Sequence, residues 1–178
     1  MKTITTLSFH ALGLAGLMAL TALCPPVHAA TSADSSSSTL KRADRRFIEK
    51  AAKSGMEEVA LSRVAVERST NAQVRAFAQM LVSDHTQANE KLADLAGSKG
   101  VVLPMKDHKA DKWAKKDVKD FDKEYIEEMV SDHEDAVELF QKEAQNGEDP
   151  DTVAFARATL PTLQSHLSKA SDLKKMLK

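Results

Sequence analysis

The chain of 178 residues has a single cysteine, Cys24, which lies in an N-terminal segment that we expect to be removed. The remaining chain can form no disulfide and has no cysteine nucleophile, so packing must hold its fold together. Glycines are also few, and they form no glycine-rich phosphate loop. Neither sign of charge dominates, because 25 basic residues are interspersed with 26 acidic ones. This balance argues against a nucleic-acid-binding surface.

Long apolar runs are absent except for one, Leu7 to Leu23, which follows Lys2. Val27 and Ala29 then occupy the two positions that signal peptidase reads. We therefore predict that residues 1–29 are a signal peptide, cleaved after Ala29, and that the protein is exported to the periplasm. The run is short for a bilayer span of about 20 residues, so we expect no membrane span after cleavage. The leucine before Cys24 is too large for a lipidation site, and we expect no lipid anchor there.

Residues 30–39 are a low-complexity polar stretch and predict a disordered tether. Residues 40–178 are long enough for one domain with its own core. Within that domain, apolar residues recur at helical spacing in four stretches, and Thr70 and Gln73 stand at the spacing of a capping box. The predicted helices run from Leu40 to Arg68, from Thr70 to Gly97, from about Asp117 or Asp120 to Asn146, and from Pro150 past Ala170.

Loop lengths indicate how these helices are arranged. Short links join the first helix to the second and the third to the fourth, so each pair should be antiparallel. Residues 101–116 show no clean period, and we interpret them as a crossover with a short helix that covers one end of the core through Trp113. The predicted fold class is all-α, a four-helix bundle with a long crossover between helices 2 and 3. Pro161 should kink the fourth helix.

One segment occurs twice, as Val82-Ser83-Asp84-His85 and as Val130-Ser131-Asp132-His133. Each copy places a histidine on the apolar face of its helix, where leucine would be the ordinary choice. His166 lies beside the apolar face of the fourth helix. On the first helix, Gly55 should admit a neighbouring side chain closely, and Glu58 follows one turn later. Counted from the predicted helix starts, these histidines and Glu58 all lie near mid-length and should meet at one level.

We therefore predict a polar centre inside the bundle. Imidazole and carboxylate ligands together suit iron, zinc, manganese or copper, so the centre could bind one transition-metal ion. Its predicted ligands are Glu58, His85, His133 and His166. Asp84 and Asp132 are candidates for outer partners that orient rings on adjacent helices, although exposed helix-surface carboxylates are the simpler interpretation of either alone.

Two other interpretations remain open. The histidines could form a metal-free buried network that fixes helix register in a structural or partner-binding module. Alternatively, the groove beside Ala51 and Gly55 could carry a ligand. Ser83-Asp84-His85 contains hydrolase-like residue types, but consecutive helical residues point in different directions. We find no catalytic motif, and interpret the protein as a non-enzymatic or weakly redox-active bundle.

Several short segments resemble those of a known family. They are Asp44-x-x-Phe47, Glu58-Val59, Val74 to His85, Leu103-Pro104, Phe121 to Tyr125, His133, and Phe155 to Leu167. Over about residues 43–175 the chain resembles a widespread bacterial family of exported, ferritin-like proteins of unknown function, commonly labelled periplasmic or outer-membrane proteins. The resemblance implies a ferritin-like bundle and an envelope or stress role, without an established activity.

The chain departs from the di-iron members of the ferritin-like fold. Those proteins use a Glu-x-x-His pair on two helices and a glutamate from each of the other two. Here the residues three positions before the histidines are Val82, Val130 and Leu163. The di-iron pattern is therefore absent, and ferroxidase chemistry loses most of its support. A mononuclear site rich in histidine remains.

Overall fold

The computed structural model describes residues 40–103, 109–115 and 121–177. The predicted signal peptide (1–29) and tether (30–39) lie outside these residues. The described part is helical, and none of its helices is both long and apolar enough to cross a membrane. The helices are α1 (Arg42–Arg68), α2 (Ala72–Ser98), α3 (Lys109–Lys115), α4 (Phe121–Asn146) and α5 (Pro150–Met176).

The four long helices form the predicted all-α, ferritin-like bundle. Helix α1 packs against α2 and α4, while α5 packs against α4 and α2. Short turns make α1 and α2 antiparallel, and likewise α4 and α5, as predicted. The segment between α2 and α4 is the long crossover and contains α3. Helix α5 continues through Pro161 to Met176.

The turn between α1 and α2 corrects one detail of the prediction. The cap of α2 is Asn71, whose side chain accepts hydrogen bonds from the backbone N–H groups of Gln73 (2.8 Å) and Val74 (3.3 Å). A capping box that starts at Thr70 is therefore wrong. The Thr70 hydroxyl instead donates to Asp122 Oδ2 at 3.2 Å, near the start of α4. This contact places the starts of α2 and α4 side by side, so the two helices are parallel.

Helix α3 covers the end of the bundle where α4 begins. Trp113 is buried and meets the Phe121 ring edge-on, with the ring centroids 5.8 Å apart. Arg68, the last residue of α1, donates from Nη1 to the carbonyl oxygen of Trp113 at 2.7 Å. Its guanidinium also lies over the Phe121 ring. The prediction that a short helix covers one end of the core through Trp113 is confirmed.

The opposite end of the bundle is closed by Asp44 of α1, which is 1% exposed. Its two carboxylate oxygens accept the backbone N–H groups of Glu148 (3.2 Å) and Asp149 (2.9 Å) in the turn between α4 and α5. Asp149 then caps α5 by accepting hydrogen bonds from the N–H groups of Asp151 and Thr152. One buried carboxylate thus fixes α1 to the α4–α5 turn.

The apolar core consists of two separate clusters, one towards each end of the bundle. The cluster under α3 includes Leu61, Leu81, Met129 and Ala170. The other includes Phe47, Leu92, Phe140 and Leu163. Each long helix contributes to both clusters, so each crosses a boundary layer between them.

Candidate metal centre

That boundary layer is polar, and each long helix supplies one buried residue to it. Glu58 of α1, His85 of α2, His133 of α4 and His166 of α5 are between 0% and 5% exposed. The three ring centroids are 5.3 to 5.5 Å apart. The predicted convergence at one level is confirmed, because regular heptad-like spacing and equal helix lengths bring mid-helix positions together.

Glu58 provides the negative charge of the layer. Its Oε2 lies 2.8 Å from His85 Nε2 and 3.3 Å from His133 Nε2. The Ser54 hydroxyl, one turn earlier, approaches Oε1 at 3.4 Å. Burial alone would raise the pKa of Glu58, but the attraction of His85 and the other rings outweighs it and lowers the pKa to about 2. Glu58 is therefore a carboxylate at neutral pH.

His133 is oriented by its own helix. Its Nδ1 lies 2.8 Å from the carbonyl oxygen of Met129, one turn earlier. A carbonyl only accepts, so we assign the ring proton to Nδ1, and Nε2 presents a lone pair to the layer. Burial lowers the pKa of His133, which favours this neutral ring. The side chain of Met129 packs in the cluster under α3.

His166 is oriented from a different helix. Its Nε2 lies 3.0 Å from Asp84 Oδ2, and because a carboxylate accepts, we assign the ring proton to Nε2. Burial lowers the pKa of His166 to about 4, so the ring is neutral and Nδ1 carries a lone pair. That Nδ1 lies 3.3 Å from His133 Nε2. With these tautomers, two lone pairs face each other, an arrangement that a cation between them would stabilise.

His85 completes the layer. Its contact with Glu58 is short but is not aligned as a hydrogen bond. Although the two atoms are 2.8 Å apart, neither His85 Nε2 nor Glu58 Oε2 has a well-aligned hydrogen bond within the described residues, and both are fully buried. Burial alone would lower the pKa of His85, but the Glu58 carboxylate outweighs it and raises that pKa. Buried polar atoms without aligned partners are costly. A bound cation would satisfy both.

The histidines of the layer form a group that permits a metal ion. Each histidine offers one ring nitrogen, and these atoms lie within 4.8 Å of one another. Around an ion with metal–nitrogen distances of about 2.0–2.1 Å, tetrahedral ligand atoms lie roughly 3.3 Å apart. Three separations between possible ligand atoms are close to this value: 2.8 Å from His85 Nε2 to Glu58 Oε2, 3.3 Å from His133 Nε2 to Glu58 Oε2, and 3.3 Å from His133 Nε2 to His166 Nδ1.

The aspartates of the repeated segment have different surroundings. Asp84 contacts His166 rather than a ring on its own helix. Asp132 lines an open surface depression together with Lys50, Lys53 and Glu57. The sequence repeat therefore describes the placement of His85 and His133, but the partner that orients each ring differs.

Two features of the centre were not predicted. The Met129 carbonyl contact is local, and the four-residue spacing to His133 was a signal that could have revealed it. A ring on an adjacent helix was predicted as the partner of Asp84, but not which ring; it is His166, 82 positions away. This choice depends on the relative rotation of α2 and α5, for which the separate helix patterns carry no signal.

A small cavity of about 30 Å³ lies beside Ala51 and Gly55. Its volume holds about two water molecules, whereas pockets for organic ligands measure about 300 Å³ or more. This cavity therefore gives no support to the carrier hypothesis for an organic ligand.

A family model described as a domain of unknown function, DUF4142, matches residues 29–173. The chain belongs to the DUF4142 family. Its place in a family of unknown function agrees with the resemblance drawn from the sequence. None of the curated proteins matches it.

Solved structures with the same fold are distant in sequence. A DUF305 fragment from Deinococcus radiodurans has 13% identity and a TM-score of 0.67, and the match covers 77% of this chain and 98% of the fragment. CopM in its Cu(I)-bound form has 16% identity and a TM-score of 0.65, with coverage of 74% and 95%. A DUF305 protein from Streptomyces coelicolor, described as secreted, has 15% identity and a TM-score of 0.64, with coverage of 76% and 93%. These similarities show a shared helical bundle.

Proposed function

We propose that this DUF4142 protein binds one transition-metal ion between its four long helices, with Glu58, His85, His133 and His166 as ligands. One observation carries the proposal: four buried possible ligand atoms, one from each long helix, converge in a single layer. Lone pairs of His133 and His166 face each other, and Glu58 Oε2 and His85 Nε2 have no aligned partner among the described residues. A metal ion would satisfy all four atoms at once.

The ligand set suits several metals. Three imidazoles and one carboxylate are compatible with zinc, iron, manganese and copper(II), and copper(II) generally binds such sites most tightly. CopM, which shares the fold, has a structure with bound Cu(I). Copper is therefore the first metal to test, followed by zinc and iron. When bound, such an ion would supply positive charge and, for copper or iron, one-electron redox chemistry.

The cellular setting is the second part of the proposal. The charged start, apolar run and Val27/Ala29 pair support export to the periplasm, and the family resemblance supports a role in the envelope. Mass spectrometry of the native protein should give an N-terminus at Ala30, with the protein in the periplasmic fraction. A retained Met1 in the cytoplasmic fraction would contradict export without affecting the metal proposal.

The metal proposal is tested by elemental analysis of protein purified from its native host without an affinity tag. We expect about one equivalent of metal. The double variant His85→Ala/His133→Ala should lose it. His108→Ala is the matched control, since His108 is the one histidine of residues 30–178 that is not a proposed ligand, and it should retain the metal.

The alternative is a metal-free buried network that fixes helix register for a structural or partner-binding role. The close approach of His85 and Glu58, with a raised pKa for His85, favours this reading if no metal is found. Metal-free native protein that also gains no thermal stability from added copper, zinc, iron or manganese would overturn the metal proposal. The search would then turn to a protein partner.

A further inference from the structure

The cavity beside the metal centre touches only one side of it. Glu58 and His85 form part of the cavity wall. The apolar residues of the wall include Leu92, Phe140 and Leu163. At roughly 10–15 Å³ for each water position, the volume of about 30 Å³ accommodates a molecule of two or three small atoms.

Two residues of the cavity wall belong to the proposed centre. Glu58 and His85 are 1% and 5% exposed, and each has one of the three buried side-chain atoms without an aligned partner within the described residues; the third is Asp122 Oδ1. Metal sites that serve only structure are closed, whereas sites that act on ligands keep a position open beside the metal. Because the proposed centre already has four protein ligands, a small molecule in a cavity against two of them would bind the metal as a fifth ligand.

Asn89 lies where this cavity adjoins an outer groove. It lies one turn after His85 on α2 and lines both the inner cavity and an outer groove that includes Met56, Val59 and Leu103. Gly55 of α1 makes room for it, because a Cβ at Gly55 would overlap Asn89 Oδ1. This is the close approach that the glycine was predicted to allow. The Asn89 carboxamide forms no hydrogen bond with the described residues, so it is available to a molecule in the cavity.

We propose that the cavity between Glu58, His85 and Asn89 binds a small exogenous ligand of the metal ion, either water or an anion of two or three atoms. The inference rests on the proposed metal centre. Asn89 is a positioning residue, since its carboxamide donates a hydrogen bond to the ligand and closes the path to the outer groove. Molecules as large as imidazole are excluded by the volume of the cavity.

Azide is the probe, and Cu(II) loaded at one equivalent is the reporter. We expect azide to produce a charge-transfer absorption band and a change in the copper EPR spectrum. Imidazole, which also coordinates copper in solution, should change neither spectrum because it exceeds the cavity. This comparison needs no variant and holds the protein constant.

Two pairs of variants locate the binding position. Ala51→Val narrows the cavity without altering a ligand, and should weaken azide binding by about tenfold. Its control, Ala65→Val, adds the same methyl groups on α1 within the cluster under α3 and should leave azide binding unchanged. Asn89→Leu removes the hydrogen bond and should weaken azide binding by about tenfold. Its control, Asn146→Leu, lies at the end of α4.

The outcomes separate this inference from the proposal on which it rests. Suppose that one copper ion binds but azide leaves its spectra unchanged, or that imidazole changes them as much as azide does. Either result would overturn the inference and leave the metal centre standing. Equal azide affinities in Ala51→Val and Ala65→Val would place azide elsewhere and also overturn it. Failure to bind copper at the four ligands would overturn both.

Discussion

Asp84 and Asp132 occupy the same place in the repeated segment, each directly before a histidine. Asp84 orients a ring of the centre, whereas Asp132 lines a surface depression. By accepting a hydrogen bond from His166 Nε2 at 3.0 Å, Asp84 turns the Nδ1 lone pair towards His133. Partners that orient metal-binding histidines in this way also raise their basicity. A single half-exposed carboxylate thus acts on the centre from outside it.

We predict that Asp84→Ala weakens metal binding by about 10- to 100-fold, because His166 loses the contact that fixes its tautomer. The affinity is measured by competition with a chelator of known strength. Asp132→Ala is the matched control and should leave the affinity unchanged, since Asp132 lines the depression with Lys50 and Lys53. Equal losses in both variants would show that the aspartates act through general charge rather than through orientation.

At the scale of helices and turns, the bundle could be predicted because its apolar residues recur at helical spacing along the sequence. Apolar spacing located the four long helices, and loop lengths located the crossover. Counting along helices of similar length then placed Glu58, His85 and His133 at one level. These steps need only the rise of a helix and the alternation of apolar faces.

Contacts that depend on competition between similar groups could not be predicted in the same way. Thr70 and Asn71 can both cap a helix, and the choice of Asn71 follows from the position of Asp122, which takes the Thr70 hydroxyl. The role of Asp44 likewise depends on a turn more than 100 positions away. Helix periodicity describes faces, but such contacts require the rotation of one helix relative to another.

The contact between α1 and the α4–α5 turn leads to a pH-dependent prediction. Burial raises the pKa of Glu143, and Asp44 raises it further, against the hydrogen bond donated by Thr152. Between the unfolded value of 4.5 and the raised folded value, the folded protein binds more protons, so stability falls as pH rises through that window. At neutral pH, a buried Glu143 carboxylate beside Asp44 therefore costs stability.

Glu143→Gln should raise the free energy of unfolding at neutral pH by about 1 kcal/mol, because the carboxamide can donate to Asp44 and accept from Thr152 without charge. The gain should vanish in acid below the ordinary pKa of 4.5, where Glu143 is protonated in both states. Urea unfolding of both proteins at the two pH values measures it. Glu134→Gln, on the exposed face of α4, should change neither value, and a gain that persists in acid would contradict the assignment.

At the scale of the whole molecule, the polar layer interrupts the core where a continuous apolar seam would be simpler. The clusters on either side are held by different ends of the same helices, so the layer decides how firmly the two halves are joined. Without a metal, facing lone pairs of His133 and His166 weaken that junction. With a bound metal, four helices share a single point of attachment. Because the metal binds the folded state alone, it adds about 2.7 kcal/mol to the free energy of unfolding at a free metal concentration 100 times Kd.

His133→Leu separates these contributions. The variant loses the facing lone pair, and the Met129 carbonyl can keep its helical hydrogen bond, so the metal-free protein should unfold at the same or a higher temperature than metal-free wild type. The rise in unfolding temperature on adding metal should disappear, because one of four ligands is gone. Calorimetry with and without metal measures both effects. The control Met129→Leu should keep the metal-dependent rise in unfolding temperature, since it is the Met129 carbonyl that contacts His133. A rise that survives in His133→Leu would place the metal elsewhere.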